Sequence, residues 1–519
     1  MSANAPINPI IPGFAPDPSL ILVDETYFLV NSTFHLFPGL PIYTSRDLVH
    51  WHQIGNAINR PSQLSFSKAS TLIHGIGNND HLYATGGLYA PTLRHHNGTF
   101  YIVCTNVVNH GTDTGKESEL QNFIISSTDI HANKWSDPVY FDFYGIDPSL
   151  FFDPHSGKAY LCGSKSPGPS TKITLFEIDV QTGKKLSEEK QLWHGTGGIY
   201  PEGPHIYFRD GYYYLMIAEG GTHEGHAVTM ARSKNLLDGP WEPNPLNPIL
   251  SAAGTDEYVQ CTGHCEAFEA KDGTWWGVCL GIRMREQELY GLGRETFLTK
   301  GSWTPEGWLR FERASMQLQI PNVPVDPMKK LTAAAGADYL YIHDPVLEDY
   351  KLGTANAAVT LTSSPHDLTA ANASPSFIGK RQRRFHGTSR ATLLPPTSNN
   401  TSVTAGLCVY KDEHRFFSVA YTSPSSISLR VRNTAKKIDR YHTVQLPDNS
   451  QPLQFIVDYT ELKYDVWYRL GAVGQMIGVG SVDAMEISGK DFVGPIVGVF
   501  AVGEGKMEVV FEGFDVDCE

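Results

Sequence analysis

Three carboxylates stand at matching places in this chain, each at the start of an apolar, strand-like run. Asp17 lies in Phe14-Ala15-Pro16-Asp17-Pro18-Ser19-Leu20, Asp147 in Ile146-Asp147-Pro148-Ser149-Leu150 and Glu202 in Glu202-Gly203-Pro204-His205-Ile206. His264, in Gly263-His264-Cys265-Glu266-Ala267, holds the corresponding place in another run. A single Asp-Pro pair reads most simply as a turn opener. Three such carboxylates in register with a repeat demand more. Like charges held close in a partly apolar pocket cannot all ionise at neutral pH, so one is pushed to a raised pKa and becomes a proton donor. A donor, a base and a third group that tunes them are the equipment for hydrolysing a glycosidic bond.

The elements that must position these groups are hairpins. After each opening comes an apolar run, a turn and an aromatic-rich run. Phe14–Leu20 leads to Tyr27-Phe28-Leu29-Val30, and Tyr89-Ala90-Pro91-Thr92-Leu93 leads through His96-Asn97-Gly98 to Phe100-Tyr101-Ile102-Val103. The Asp147 run passes through Ser156-Gly157, the Glu202 run through Asp210-Gly211 and the His264 run through Asp272-Gly273. Turns of this kind between alternating strands are strong hairpin signals. Five hairpins at intervals of roughly 55–75 residues predict a five-bladed β-propeller, each interval holding a four-stranded blade and a loop. In such a ring the four equivalent residues Asp17, Asp147, Glu202 and His264 face one channel mouth.

A length of 519 residues calls for two domains. The Pro-rich stretch Pro321–Pro327 reads as a linker, giving a propeller at 1–325 and a second domain at 335–519. There Arg415–Tyr421 and Ser426–Arg432 alternate around a Ser-Pro-Ser turn, the pattern of a sheet with one buried face, so the second domain is read as a β-sandwich and the whole chain as all-β. The formal net charge of −14 argues against nucleic acid or an anionic membrane as partner and leaves a neutral ligand. The first residues have no basic or apolar leader pattern, which reads as cytoplasmic, though a secreted form with its signal removed would look the same. The seven cysteines read as free thiols. Asn31, Asn97, Asn372, Asn399 and Asn400 open glycosylation sequons, of which the first two sit in a strand and a tight turn. The basic run Lys380–Arg384 alternates like a strand.

Seven motifs in order carry a resemblance. They are Pro12-Gly13-Phe14-Ala15-Pro16-Asp17-Pro18-Ser19, Ser32-Thr33-Phe34 with Phe37-Pro38-Gly39, Ile146–Ser149, Tyr200-Pro201-Glu202-Gly203-Pro204-His205, Ala218-Glu219-Gly220-Gly221-Thr222, Thr262-Gly263-His264 and Leu292-Gly293-Arg294-Glu295-Thr296-Phe297. Together they resemble glycoside hydrolase family 43, in particular its two-domain β-xylosidases and α-L-arabinofuranosidases, and Ser374–Gln382 resembles the sandwich of those enzymes. The resemblance implies that Asp17 is the general base, Glu202 the general acid and Asp147 the group that orients Glu202 and raises its pKa, with inversion at the anomeric carbon. It also implies that Arg294 grips sugar hydroxyls, that Phe34 and Thr222 line the pocket, and that a loop of the sandwich closes it around one terminal sugar. Tyr89 stands where the family usually has Trp, so the wall there loses stacking area and gains a hydroxyl. The implied substrate is a xylo-oligosaccharide, or one derived from arabinoxylan. No cofactor is required, and the resemblance implies at most one structural calcium or other cation, met through water by His264. A homo-oligomer stays open.

Each reading has a plainer rival. Phe34 also reads as core packing, Arg294 as a surface partner of Glu295, and His264 as a structural histidine. Zinc at Cys261, His264 and Cys265 is disfavoured, because a strand sends neighbouring side chains to opposite faces. A carbohydrate-binding propeller without catalysis has no need for the complete trio. A fructan-cleaving propeller would begin Asn-Asp-Pro, whereas Ala15-Pro16 precedes Asp17 here.

Overall fold

In the computed structural model, residues 6–77, 80–110, 117–321, 323–326, 330–353, 357–395, 402–447 and 450–518 are described. Five antiparallel sheets form the ring. Their innermost strands are Ser19–Val23, Thr92–His96, Gly145–Phe152, Glu202–Arg209 and Val259–Glu269, and each is hydrogen-bonded to the strand that follows its turn. The predicted hairpins are therefore the inner pairs of blades 1 to 5. The N-terminal segment seals the ring: Ile10 N–H donates to Thr296 O at 2.9 Å, and the Asn8 side chain exchanges hydrogen bonds with Leu298 at 2.8 and 2.9 Å.

The inner strands do not start regularly. Asp17, Asp147 and His264 have left-handed backbones, with φ of 51°, 53° and 44°, and Gly203, next to Glu202, has φ of 57°. The ladder slips between Ile146 and Ser149, between Glu202 and His205, and twice between Gln260 and Glu266. These are β-bulges, which bend a strand end and re-aim its side chains. Asp, His and Gly are among the residues that tolerate the left-handed region best, which explains their use here.

Beyond the linker, part of which (Asn322 and Pro327) lies outside the described residues, Leu331–Ala333 adds to the edge of blade 1 beside Trp51–Gln53. Tyr341–Ile342 pairs with Leu36–Phe37. The rest folds into sheets of seven and six strands facing each other across a shared core. Arg415–Thr422 differs from the expected half-buried strand, since it is buried on both faces up to its last residue. One face holds Phe417, Val419 and Tyr421 in the sandwich core, while Phe416 and Ala420 on the other share a cluster with Phe14, Phe34 and Leu36 of the propeller. The propeller thus covers what would have been the solvent face.

The basic run at 380–384 is structural: Arg381 is buried and donates from Nε to Phe14 O at 2.7 Å. Asn31 is fully buried, its amide donating to Ala15 O, Pro16 O and Thr296 Oγ1 at 2.9–3.0 Å, which leaves no room for a glycan. Asn399 and Asn400 lie outside the described residues. All seven cysteines are free thiols, six of them buried. No described helix is long and apolar enough to cross a membrane.

Candidate active site

The starts of four inner strands, three of them bulged, converge on a pocket of about 400 Å³ whose walls include Asp17, Asp147, Glu202, His264, Phe34, Tyr89, Thr222 and Arg294. Every residue singled out from the sequence as a site candidate therefore lines one cavity. Arg294 Nη1 donates to Asp17 Oδ1 at 2.9 Å and to Thr222 Oγ1 at 3.1 Å. Its sequence neighbour Glu295 turns away and is held by Arg283 at 2.7 and 2.9 Å, so the surface pair considered for Arg294 does not form. Ser32 Oγ donates to Asp17 Oδ2 at 2.6 Å, fixing the second carboxylate oxygen. Ser32 stood in a quoted motif, but nothing local marked it as a partner of Asp17.

Asp147 is anchored from below. Its Oδ2 accepts the Gly203 N–H at 3.0 Å, which ties it to the residue beside Glu202. Burial raises its pKa, the nearby Asp17 carboxylate adds to this, and His264 and the Gly203 amide only partly oppose it. Glu202 is displaced further: burial first, then the charges of Asp147 and Asp17, push its carboxyl well above the usual range against the pull of Arg294. Among these groups Glu202 is therefore the one displaced furthest toward its protonated form.

The aromatic wall is shared between the two domains. Phe34 lies 5.0 Å from Tyr89 and 5.8 Å from Phe492, between ring centres, and Tyr89 lies 5.9 Å from Phe492. Arg294 sits over Phe34 and Phe492 at 5.4 and 5.5 Å and donates from Nη2 to the Phe492 carbonyl at 2.9 Å. Phe492 follows the short strand Lys490–Asp491, which pairs in parallel with Leu82–Tyr83 of the propeller. Lys490 bridges Asp80 and Glu224 at 3.1 and 3.3 Å, while Asp491 turns inward to Arg415 and Lys411. This strap, contributed by residues distant in sequence, carried no local signal.

His264 lies on the channel side, its Nδ1 4.0 Å from Asp17 Oδ1. A Cβ added at Gly203 would come within 3.0 Å of the His264 ring, so only glycine allows this approach. Cys261 and Cys265 belong to separate apolar clusters, so they do not converge with His264 on a metal. Among the described residues no three or more His, Cys, Asp or Glu side chains form a metal-holding group. The donor set therefore does not fit a cation caged by side chains; it leaves His264 as a single side-chain contact.

Residues 6–309 match the family described as Glycosyl hydrolases family 43, and residues 332–516 match the Beta xylosidase C-terminal Concanavalin A-like domain. A non-reducing-end α-L-arabinofuranosidase of Bacteroides ovatus is 34% identical, over 98% of this chain and 94% of that one. A xylosidase/arabinosidase of Butyrivibrio fibrisolvens is 30% identical over 96% of both chains. Among solved structures, a xylan β-1,4-xylosidase from Bacillus halodurans superposes with a TM-score of 0.84 at 28% identity, covering 97% of this chain and 98% of that one.

Proposed function

The chain belongs to glycoside hydrolase family 43, and from that premise we propose that it is an exo-acting, inverting glycosidase that releases xylose from the non-reducing end of xylo-oligosaccharides. The observation that carries the exo reading is the strap: Phe492 and its carbonyl sit against Arg294 and wall off one side of the pocket. An open groove would hold sugars on both sides of the scissile bond, whereas a walled pocket of this volume holds a terminal residue.

In this reading Glu202 donates its proton to the glycosidic oxygen as the bond breaks. Asp17 takes a proton from the water that attacks the anomeric carbon from the opposite face. Ser32 and Arg294 fix the two oxygens of Asp17, so the base is aimed before substrate arrives. Asp147 raises the pKa of Glu202 by its charge and holds the backbone beside it. Arg294, Thr222, Phe34 and Tyr89 surround the glycone, the arginine fork suiting paired hydroxyls. A cation, if bound, would be held by His264 and water and would take no part in the proton transfers.

Removal of arabinofuranose side chains is the second reading, favoured by the identity with the Bacteroides arabinofuranosidase. The product profile from xylohexaose and from an arabinose-decorated xylo-oligosaccharide decides. Xylose alone as the first product supports the proposal. Early xylobiose and xylotriose refute the walled pocket, and early arabinose with an uncut backbone transfers the function to the second reading.

A further inference from the structure

One layer beneath the carboxylates the channel is crossed by a second set of polar side chains, one from each blade. Ser19 comes from blade 1, Arg94 from blade 2, Ser149 from blade 3, His205 from blade 4 and Glu266 from blade 5. Ser19, Ser149 and Glu266 lie two residues after Asp17, Asp147 and His264, and His205 lies three after Glu202. Each therefore follows its blade's mouth-facing residue along the inner strand, deeper in the channel. All but Arg94, which spans the axis, are nearly inaccessible.

These five groups are joined in one network centred on Arg94 and Glu266. Arg94 Nη1 meets Glu266 Oε1 at 2.5 Å, and Arg94 Nη2 donates to Ser149 Oγ at 3.3 Å and to His205 Nδ1 at 3.2 Å. Its Nε donates to Leu150 O at 3.0 Å, so the guanidinium has no free edge to offer a ligand. Glu266 Oε2 accepts from Ser19 Oγ at 2.5 Å and from Leu20 N–H at 3.0 Å, while Ser19 Oγ accepts from Leu93 N–H at 2.9 Å. His205 Nδ1, which accepts from Arg94, lies 3.7 Å from Glu266 Oε1. Burial drives its pKa down to about 3, so it is neutral. Below the network lies a separate cavity on the opposite face, lined in part by Arg94 and Glu266.

We propose that Arg94 and Glu266 are positioning residues for the glycosidase reaction: their ion pair locks the five blades at the depth that sets the spacing of Asp17, Asp147 and Glu202, and keeps the floor beneath them electrically neutral. This rests on the assignment of Asp17 and Glu202 as base and acid. A purely structural pair would only hold the ring together, and a hydrophobic pair would do that at lower desolvation cost. The neutral pair does something else. Glu202 is faced by Asp147, Asp17, Arg294 and Tyr89, and Glu266 by Arg94, His205, Tyr207 and Cys265. Any net charge left in the floor adds directly to the first group.

The test uses the full chain with Glu266→Gln, Arg94→Lys and the double variant Arg94→Gln/Glu266→Gln, with xylobiose as substrate and pH profiles of kcat/KM. Glu266→Gln leaves the Arg94 cation uncompensated beneath the carboxylates, so the basic limb should move down, by roughly one pH unit if the charge acts from about 10 Å. The double variant restores neutrality, so its limb should return to the wild-type position while kcat stays about tenfold or more below wild type. Arg94→Lys keeps the charge but loses the fork, so kcat should fall about tenfold with KM and the limb unchanged. Folded variants with kcat within threefold of wild type and unmoved limbs would overturn the proposal, as would a limb displaced equally in the single and double variants. If the Glu266 variants do not fold, Arg94→Lys decides through its kcat. Glu202→Ala, run in parallel, separates the two levels. If it keeps activity and the basic limb, the acid assignment fails; if it loses both while the network variants behave as wild type, only the network proposal fails.

Discussion

Replacing Asp147 with Asn isolates the charge that tunes the acid. The carboxylate accepts the amide of the residue after Glu202 at 3.0 Å, an acceptance Asn can keep through its side-chain oxygen. At a separation of about 6 Å a unit charge at an effective dielectric near 20 contributes about 2.8 kcal/mol, or about 2 pKa units. Asp147 is itself held above the usual value, so its charge is incomplete at the acidic end of the range, and a shift of about one unit is expected. The sign follows from the raised pKa of Glu202. The acid works while protonated, and activity is lost as pH rises through its pKa. Removing a like charge lowers that pKa, so the loss moves to lower pH. The assay is kcat/KM for xylobiose between about pH 4 and 9, because a poor leaving group needs the proton. A basic limb that stays in place or moves upward refutes the idea that Asp147 tunes Glu202.

The other expectations test separate steps. Glu202→Ala should lose about a hundred to ten thousandfold on xylobiose and far less on an activated aryl xyloside, whereas Asp17→Ala should fail on both; most activity retained on xylobiose by either variant would remove its role. Proton NMR of the first sugar released should show the anomer opposite to the substrate's, and retention would end the role of Asp17 as water activator. Phe492→Ala should cost about ten to a hundredfold in kcat/KM on xylobiose by stripping the pocket of its inter-domain wall, and an unchanged value would show the strap is not part of the sugar site. Prolonged chelation should lower activity or stability only partly; complete loss restored by zinc alone would contradict a cation held through His264 and water.

Hairpin turns such as His96-Asn97-Gly98 and Asp210-Gly211 made the blades legible, because turn chemistry is local. Asp17, Asp147, Glu202 and His264 were legible because the repeat placed them in register. Phe34, Tyr89, Thr222 and Arg294 were reached through the resemblance, and the structure puts all four in the pocket. Phe492 and Lys490 were hidden because their contacts span hundreds of residues and nothing in Lys490-Asp491-Phe492 marks a wall. Glu266 did leave a trace: it is a charged residue inside a strand otherwise reading as buried, which asks for a partner. Its partner, in another blade, was not readable from alternation. The expected open face of Arg415–Tyr421 failed for a related reason, since alternation says which residues share a face but not what covers it.

The cluster joining Phe14, Phe34 and Leu36 to Tyr410, Phe416, Val493 and Phe500 bears on how such enzymes can be rebuilt. Phe34 is at once a wall of the sugar pocket and part of the seam between the halves. A chimera that grafts a relative's sandwich onto this propeller therefore exchanges the neighbours of an active-site ring, not a passive appendage. Specificity and thermal tolerance would be inherited together across that seam, and modules from different relatives could be recombined only where the aromatic set on both sides matches.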